Sequence, residues 1–165
     1  MALASRELLS ASANPVTGLH PDYVNFDGTP NTVQASVPLF GYEALHTVLN
    51  VSIDSAWFGL DARQPAQVAK YHEFFAADAA GGLIPHTLYP VDGSATVDAP
   101  TTGLPAVLAA GALVSTAPNR ADFVRILWDL PQPSGAFRAY EEMTYLLALL
   151  AAGGRFNLEW PDATP

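Results

Sequence analysis

The feature that most constrains this sequence is its punctuation. Apolar residues recur at helical spacing in six segments, and nearly every segment runs into a glycine or proline stop. Residues 3–12 end at Asn14-Pro15 and Gly18, 39–58 at Gly59, and 65–80 at Gly81-Gly82. Residues 102–115 form an Ala/Leu segment with Thr101 or Thr102 as cap. Residues 119–130 are capped by Asn119 and stopped by Pro131 and Pro133, and 136–152 stop at Gly153-Gly154. Only 85–99 breaks the pattern, alternating around Val91-Asp92-Gly93-Ser94 as a hairpin does over about 86–97. Short stops between helices place successive helices antiparallel. The expected fold is therefore all-α, a set of helical hairpins with one small β-hairpin.

Size and charge bound the rest. A chain of 165 residues, half of them apolar, is one domain (1–165) with enough material for a core. It carries a long loop at 15–38 and a polar tail at 159–165. Charged residues are only 14% of the chain and mean hydropathy is +0.18, yet no apolar run reaches the roughly 18 residues of a membrane span. An apolar surface or a sizeable interface is expected instead, and a homodimer is the simplest way to bury it. A net charge of −9 argues against nucleic acid and anionic lipid as partners and suits a neutral polysaccharide. Without cysteine there are no disulfides or thiolate ligands, and the four scattered histidines make no metal-binding pair. No metal or cofactor is expected. The start, Met1-Ala-Leu-Ala-Ser-Arg-Glu, shows no secretory signal pattern, so localisation stays open.

The segment 39–58 is the most informative. On a helical wheel Glu43, His46, Thr47, Asn50 and Asp54 gather into one polar stripe among apolar neighbours. Such a stripe is either solvated or the wall of a cleft, where a desolvated carboxylate beside His46 serves as a general base. Glu43 and Asp54 cannot act as one catalytic pair, because eleven residues of helix separate their backbones by roughly 16 Å. Trp57 and Trp128 sit among apolar residues and read as core, and Trp160 lies in the tail.

Several runs together resemble glycoside hydrolase family 8, the endo-β-1,4-glucanase type. They are Pro21-Asp22-Tyr23, Asp27-Gly28-Thr29-Pro30, Tyr42-Glu43-Ala44-Leu45-His46, Asp54-Ser55-Ala56-Trp57-Phe58-Gly59, His72-Glu73-Phe74-Phe75 and Gly153-Gly154-Arg155-Phe156. The resemblance covers about residues 5–158 and corresponds to the carboxyl-terminal half of such enzymes. It implies half of an (α/α)6 barrel and an inverting hydrolase of β-1,4-glucan, xylan or chitosan, of a secreted kind. The family's general base, an Asp in Tyr-Asp-Ala-x-Arg, falls on Glu43. Its Tyr falls on Tyr42 and its Arg on His46, while sugar-contacting aromatics match Phe137 and Tyr140. Two departures matter. Glu extends the carboxylate by a methylene, and His replaces a permanently charged fork donor. The family's general acid, a Glu, lies in the half that the resemblance does not cover. Asp22, Asp27, Glu141 and Glu142 are the candidates for a second carboxylate, Asp22 being placed in the catalytic set with Glu43 and His46. Tyr42, Tyr140, Phe137, Asp27 and Asn50 form the expected substrate-binding set. A non-catalytic carbohydrate-binding module and a segment of a longer enzyme are the alternatives.

Overall fold

The computed structural model describes residues 2–33, 37–79, 86–94, 97–98 and 101–156. The Gly81-Gly82 stop, Trp160 and the 159–165 tail lie outside them. The order is α1 (Ala2–Ser12), β1 (Leu39–Phe40), α2 (Ala44–Phe58), α3 (Arg63–Ala79), β2 (His86–Pro90), β3 (Val97–Asp98), α4 (Gly103–Gly111), α5 (Arg120–Asp129) and α6 (Arg138–Ala152). The expected all-α half-barrel with a small hairpin is what forms. No described helix is long and apolar enough to cross a membrane.

The nine-residue helix α4 is the hub. Every residue from Gly103 to Gly111 is buried, and the helix packs on α2, α5 and α6 at once. Small residues permit this approach: a Cβ on Gly111 would stand 2.9 Å from Val68 and 3.3 Å from the His72 ring. Around α4 lie Leu45, Val48, Leu49, Phe123, Leu127, Ala148 and Ala151, with Phe40, Tyr71, Phe75 and Tyr89 forming an aromatic layer under the sheet. The segment expected as helix to 115 leaves α-geometry after Gly111. The N–H groups of Ala112, Leu113 and Val114 turn back to carbonyls three residues earlier, a tightened last turn.

Two corrections concern hydrophobic patterns. The helix expected from residue 39 begins only at Ala44, because Leu39 and Phe40 are taken by a strand pairing with Pro90 and Tyr89. The result is a three-stranded antiparallel sheet, β1-β2-β3. Trp128 is not core: it is 83% exposed, since α5 buries the stripe Phe123, Ile126, Leu127 and Leu130 and Trp128 falls on the other flank. Trp57 is half-buried, and its indole N–H donates to the Phe156 carbonyl.

Long-range polar contacts tie α1 to this frame. Arg6 pairs with both oxygens of Asp54 at 2.7 Å, and Gln64 donates to the same carboxylate. Beneath them His20 is buried; its Nε2 donates to the Leu9 carbonyl at 2.8 Å and its Nδ1 accepts the Tyr71 hydroxyl at 2.5 Å. Burial lowers the His20 pKa to about 4, and His72, packed between Ser115 and the Leu108 carbonyl, is lowered for the same reason.

This sets an acid sensitivity. An unfolded chain takes up a proton on His20 near pH 6.5, whereas the folded one resists until about pH 4. The contribution is complete above pH 6.5 and is lost as pH falls to 4; for a shift of this size it is on the order of 3 kcal/mol. Denaturant unfolding at pH 7 and pH 4.5 should show a steeper stability loss for the parent than for His20→Gln. Equal losses would refute it.

Candidate functional site

The loop 15–38 is well organised where described. Asn25 N–H donates to the Thr29 carbonyl, Asn31 N–H to that of Tyr23, and Asp22 N–H to that of Leu39. The loop brings Pro21, Asp22, Tyr23, Asn31 and Val37 against Leu39, Tyr42 and Glu43, and these eight residues line a cleft of about 300 Å³.

Glu43 sits at the N-cap of α2 rather than within it, with helical φ and ψ but no capping bond from its own side chain. The cap is supplied from a distance. One carboxylate oxygen of Asp22 accepts the N–H of Gly41 at 2.9 Å and that of Ala44 at 2.8 Å. This satisfies donors that a helix start leaves orphaned. Only glycine fits at position 41, where a Cβ would meet Leu88 at 2.6 Å and the other Asp22 oxygen at 2.7 Å. Burial raises the Asp22 pKa, the Ala44 and Gly41 N–H groups oppose that rise, and the negative charge of Glu43 adds to it.

A second support for this backbone comes from α6. The Tyr140 hydroxyl donates to the Tyr42 carbonyl at 2.7 Å and lies 3.2 Å from His46 Nδ1. Its ring meets those of Tyr42 and His46 edge-on, with Phe137 6.1 Å from Tyr42 and largely exposed. Burial, then the negative charges of Glu43 and Asp22, pushes the Tyr140 pKa up to about 12, so its phenol stays a donor throughout the neutral range. The backbone that carries Glu43 is thus held from both sides, by Asp22 and by Tyr140.

Glu43, Asp22, Tyr42, His46, Tyr140 and Phe137 are therefore neighbours, joined directly or through one side chain. Of the two readings of the stripe, solvated or a cleft wall with a desolvated carboxylate, Glu43 takes something from each: it lines the cleft but is exposed, because it stands before the helix. Two expected substrate contacts lie elsewhere. Asn50 is about 10 Å along the helix from Glu43 and faces α1, beside Arg6 and Asp54. The Asp27 carboxylate is spent on its own turn, accepting the Thr29 N–H at 2.9 Å and the Thr29 hydroxyl at 2.6 Å. Glu141 is buried and accepts the Thr101 and Thr102 hydroxyls, tying α6 to the start of α4. Glu142 is exposed beside Arg138. Of these four candidate carboxylates only Asp22 shares the cleft with Glu43. Sequence reasoning missed Asn31 and the cap role of Asp22, for neither follows any local periodicity. Among the described residues no cluster of three or more His, Asp or Glu could hold a metal ion.

No protein-family model matches the chain. A reducing end xylose-releasing exo-oligoxylanase of Halalkalibacterium halodurans is 32% identical over 162 residues, covering 96% of this chain and 41% of the relative. One of Bifidobacterium adolescentis is 31% identical, covering 96% and 43%. Among solved structures, a family 8 glycoside hydrolase of Teredinibacter turnerae in complex with xylobiose is 38% identical with a TM-score of 0.86, covering 94% of this chain and 39% of that one. A reducing-end-xylose releasing exo-oligoxylanase superposes with a TM-score of 0.87 at 32% identity, covering 97% and 42%. The chain thus spans about two fifths of the length of the relatives it matches. Sequence likeness and shared backbone over nearly all of the chain agree with the motif resemblance: the chain is similar along its length to part of a glycoside hydrolase of family 8.

Proposed function

We propose that this chain carries the base-bearing wall of a hydrolase acting on β-1,4-linked xylan or its oligosaccharides. The observation that carries the reading is the cleft itself, in which the exposed Glu43 carboxylate is aimed by the Asp22 cap beside Tyr42 and Tyr140. Xylan takes precedence over the glucan expected from the motifs because the relatives are named for releasing xylose, and one solved structure holds xylobiose.

In an inverting reaction Glu43 takes a proton from water as the water oxygen bonds to the anomeric carbon. The bond to the leaving oxygen breaks on the opposite face, and its electron pair stays with that oxygen. A second group must protonate it. Asp22 does not fit that task, since one of its oxygens is committed to two backbone N–H groups; it positions Glu43 instead. The acid belongs to polypeptide corresponding to the rest of the relatives' length. His46 orients Tyr140, and Phe137 and Tyr42 offer ring faces to the sugar.

A leaving group that needs no proton tests the base side by itself. Dinitrophenyl β-xylobioside should be hydrolysed by the chain with inverted product by NMR, and the cellobiose analogue much more slowly. Binding without turnover on either would favour the carbohydrate-binding module, a reading supported by the lack of a second free carboxylate among the described residues of the cleft. The homodimer expected from the sequence is kept as part of this proposal: α6 leaves Met143 and Leu146 exposed, a face that a second copy would cover.

A further inference from the structure

Phe26 is fully exposed, at 101% of its reference area, on a loop that is not loose. The Asn25 side chain donates to the Thr29 hydroxyl, and the Thr29 N–H and hydroxyl both return to Asp27. Gly28 N–H closes the turn on the Asn25 carbonyl, and an isolated bridge joins Val24 to Pro30. Gly28, at φ +86°, lies against α1 so closely that a Cβ would stand 2.9 Å from the Ala11 side chain. The turn is held internally and pinned to a helix, and its apex still presents a whole phenyl ring to water. Folding gains nothing from that ring. An aromatic side chain has on the order of 150–250 Å² to bury, and this one leaves all of it available to a ligand.

The same loop leads into the cleft. The Asn31 side chain donates to the Asn25 side chain at 3.1 Å and its N–H to the Tyr23 carbonyl at 2.9 Å, and both Asn31 and Tyr23 are cleft residues. The cleft, about 300 Å³, is at the small end for a binding pocket. An oligosaccharide longer than it holds must continue over the rim. The ring's neighbours are Asn25 and Asp27, with no cation beside them in sequence, and the chain is strongly acidic. That favours a neutral ligand whose weakly positive C–H groups can lie on the negative face of the ring. The C–H face of a pyranose is such a surface.

We infer that Phe26 is an outer sugar-stacking subsite, continuous with the cleft through Asn25, Asn31 and Tyr23, that takes the distal pyranose units of a longer xylo-oligosaccharide. The inference rests on the cleft reading above and extends it from the reacting sugar to chain-length preference.

Isothermal titration of the chain with xylobiose and with xylohexaose tests it, using Phe26→Ala and Phe26→Tyr. Affinity should rise with length in the parent. Phe26→Ala should lose about threefold to tenfold on xylohexaose with xylobiose unchanged, and Phe26→Tyr should restore the difference. The melting temperature of Phe26→Ala should match the parent's. Xylohexaose affinity unchanged in Phe26→Ala, with cleft resonances such as those of Tyr42 and Glu43 still shifting, overturns the subsite and leaves the cleft reading standing. No binding of either sugar removes the cleft reading and the subsite with it. A variant that alters the particle mass in light scattering but not sugar affinity assigns the ring to a protein contact and overturns the inference.

Discussion

Glu43→Gln is expected to lower turnover of dinitrophenyl β-xylobioside by about 100-fold or more while leaving the fold intact. A positioned general base contributes rate factors of about 10² to 10⁴, and the amide keeps the shape while losing the basicity. Folding should not change, because Glu43 is exposed and makes no capping bond with its side chain. The good leaving group matters to the design. With it, the proton that would otherwise be delivered to the leaving oxygen is not needed, so the rate reports the base side of the cleft. Steady-state kinetics with matched melting curves decide the point, and an unchanged kcat would remove Glu43 from the chemistry. The second expectation from the same geometry is that KM moves little, since the rings of Tyr42 and Phe137, proposed to face the sugar, stay in place.

Phe40→Ala should cost about 3–5 kcal/mol of unfolding free energy, as expected for removing a phenyl ring from a packed core. Phe40 has no exposed surface, and its ring sits 5.7 Å from Phe75 and 6.5 Å from both Tyr71 and Tyr89. Domain stabilities are typically about 5–15 kcal/mol, so such a loss takes a large share of the total. The effect should reach the cleft as well. Phe40 pairs with Tyr89 in the sheet and precedes Gly41, whose N–H meets the Asp22 carboxylate that aims Glu43. Urea unfolding and dinitrophenyl xylobioside hydrolysis, measured together, should both fall; a stability loss below 1 kcal/mol would contradict the packing described. Phe26→Ala, the same substitution at an exposed ring, is the natural comparison.

The sequence alone determined what depends on neighbours along the chain. Apolar residues three and four apart, with stops such as Gly59, Pro131 and Gly153, dictate helices because the backbone period is local. Gly59 shows the reason: it ends α2 at φ +57°, and its N–H closes on Ser55. The acidic balance, the missing cysteines and the ordered motifs that pointed to glycoside hydrolase family 8 were legible in the same way.

Tertiary structure decided whatever depends on a partner distant in sequence. Leu39 and Phe40 read as helix until Tyr89 and Pro90 offer them a strand, and that shift moves Glu43 from a helix face to a helix start. Asp22 and Asp27 look alike on one loop. One reaches α2 and fixes the cleft, while the other closes its own turn, and no local pattern separates them. Asn50 shares a wheel position with Glu43, but α1 packs beside it and claims that stretch of the helix. Trp128 reads as core by its neighbours, yet one step around the α5 helix leaves it in water, because α3 and α4 cover a single stripe. A side chain's direction is set by its own helix, whereas its burial is set by which other element arrives there, and only the folded chain contains that information.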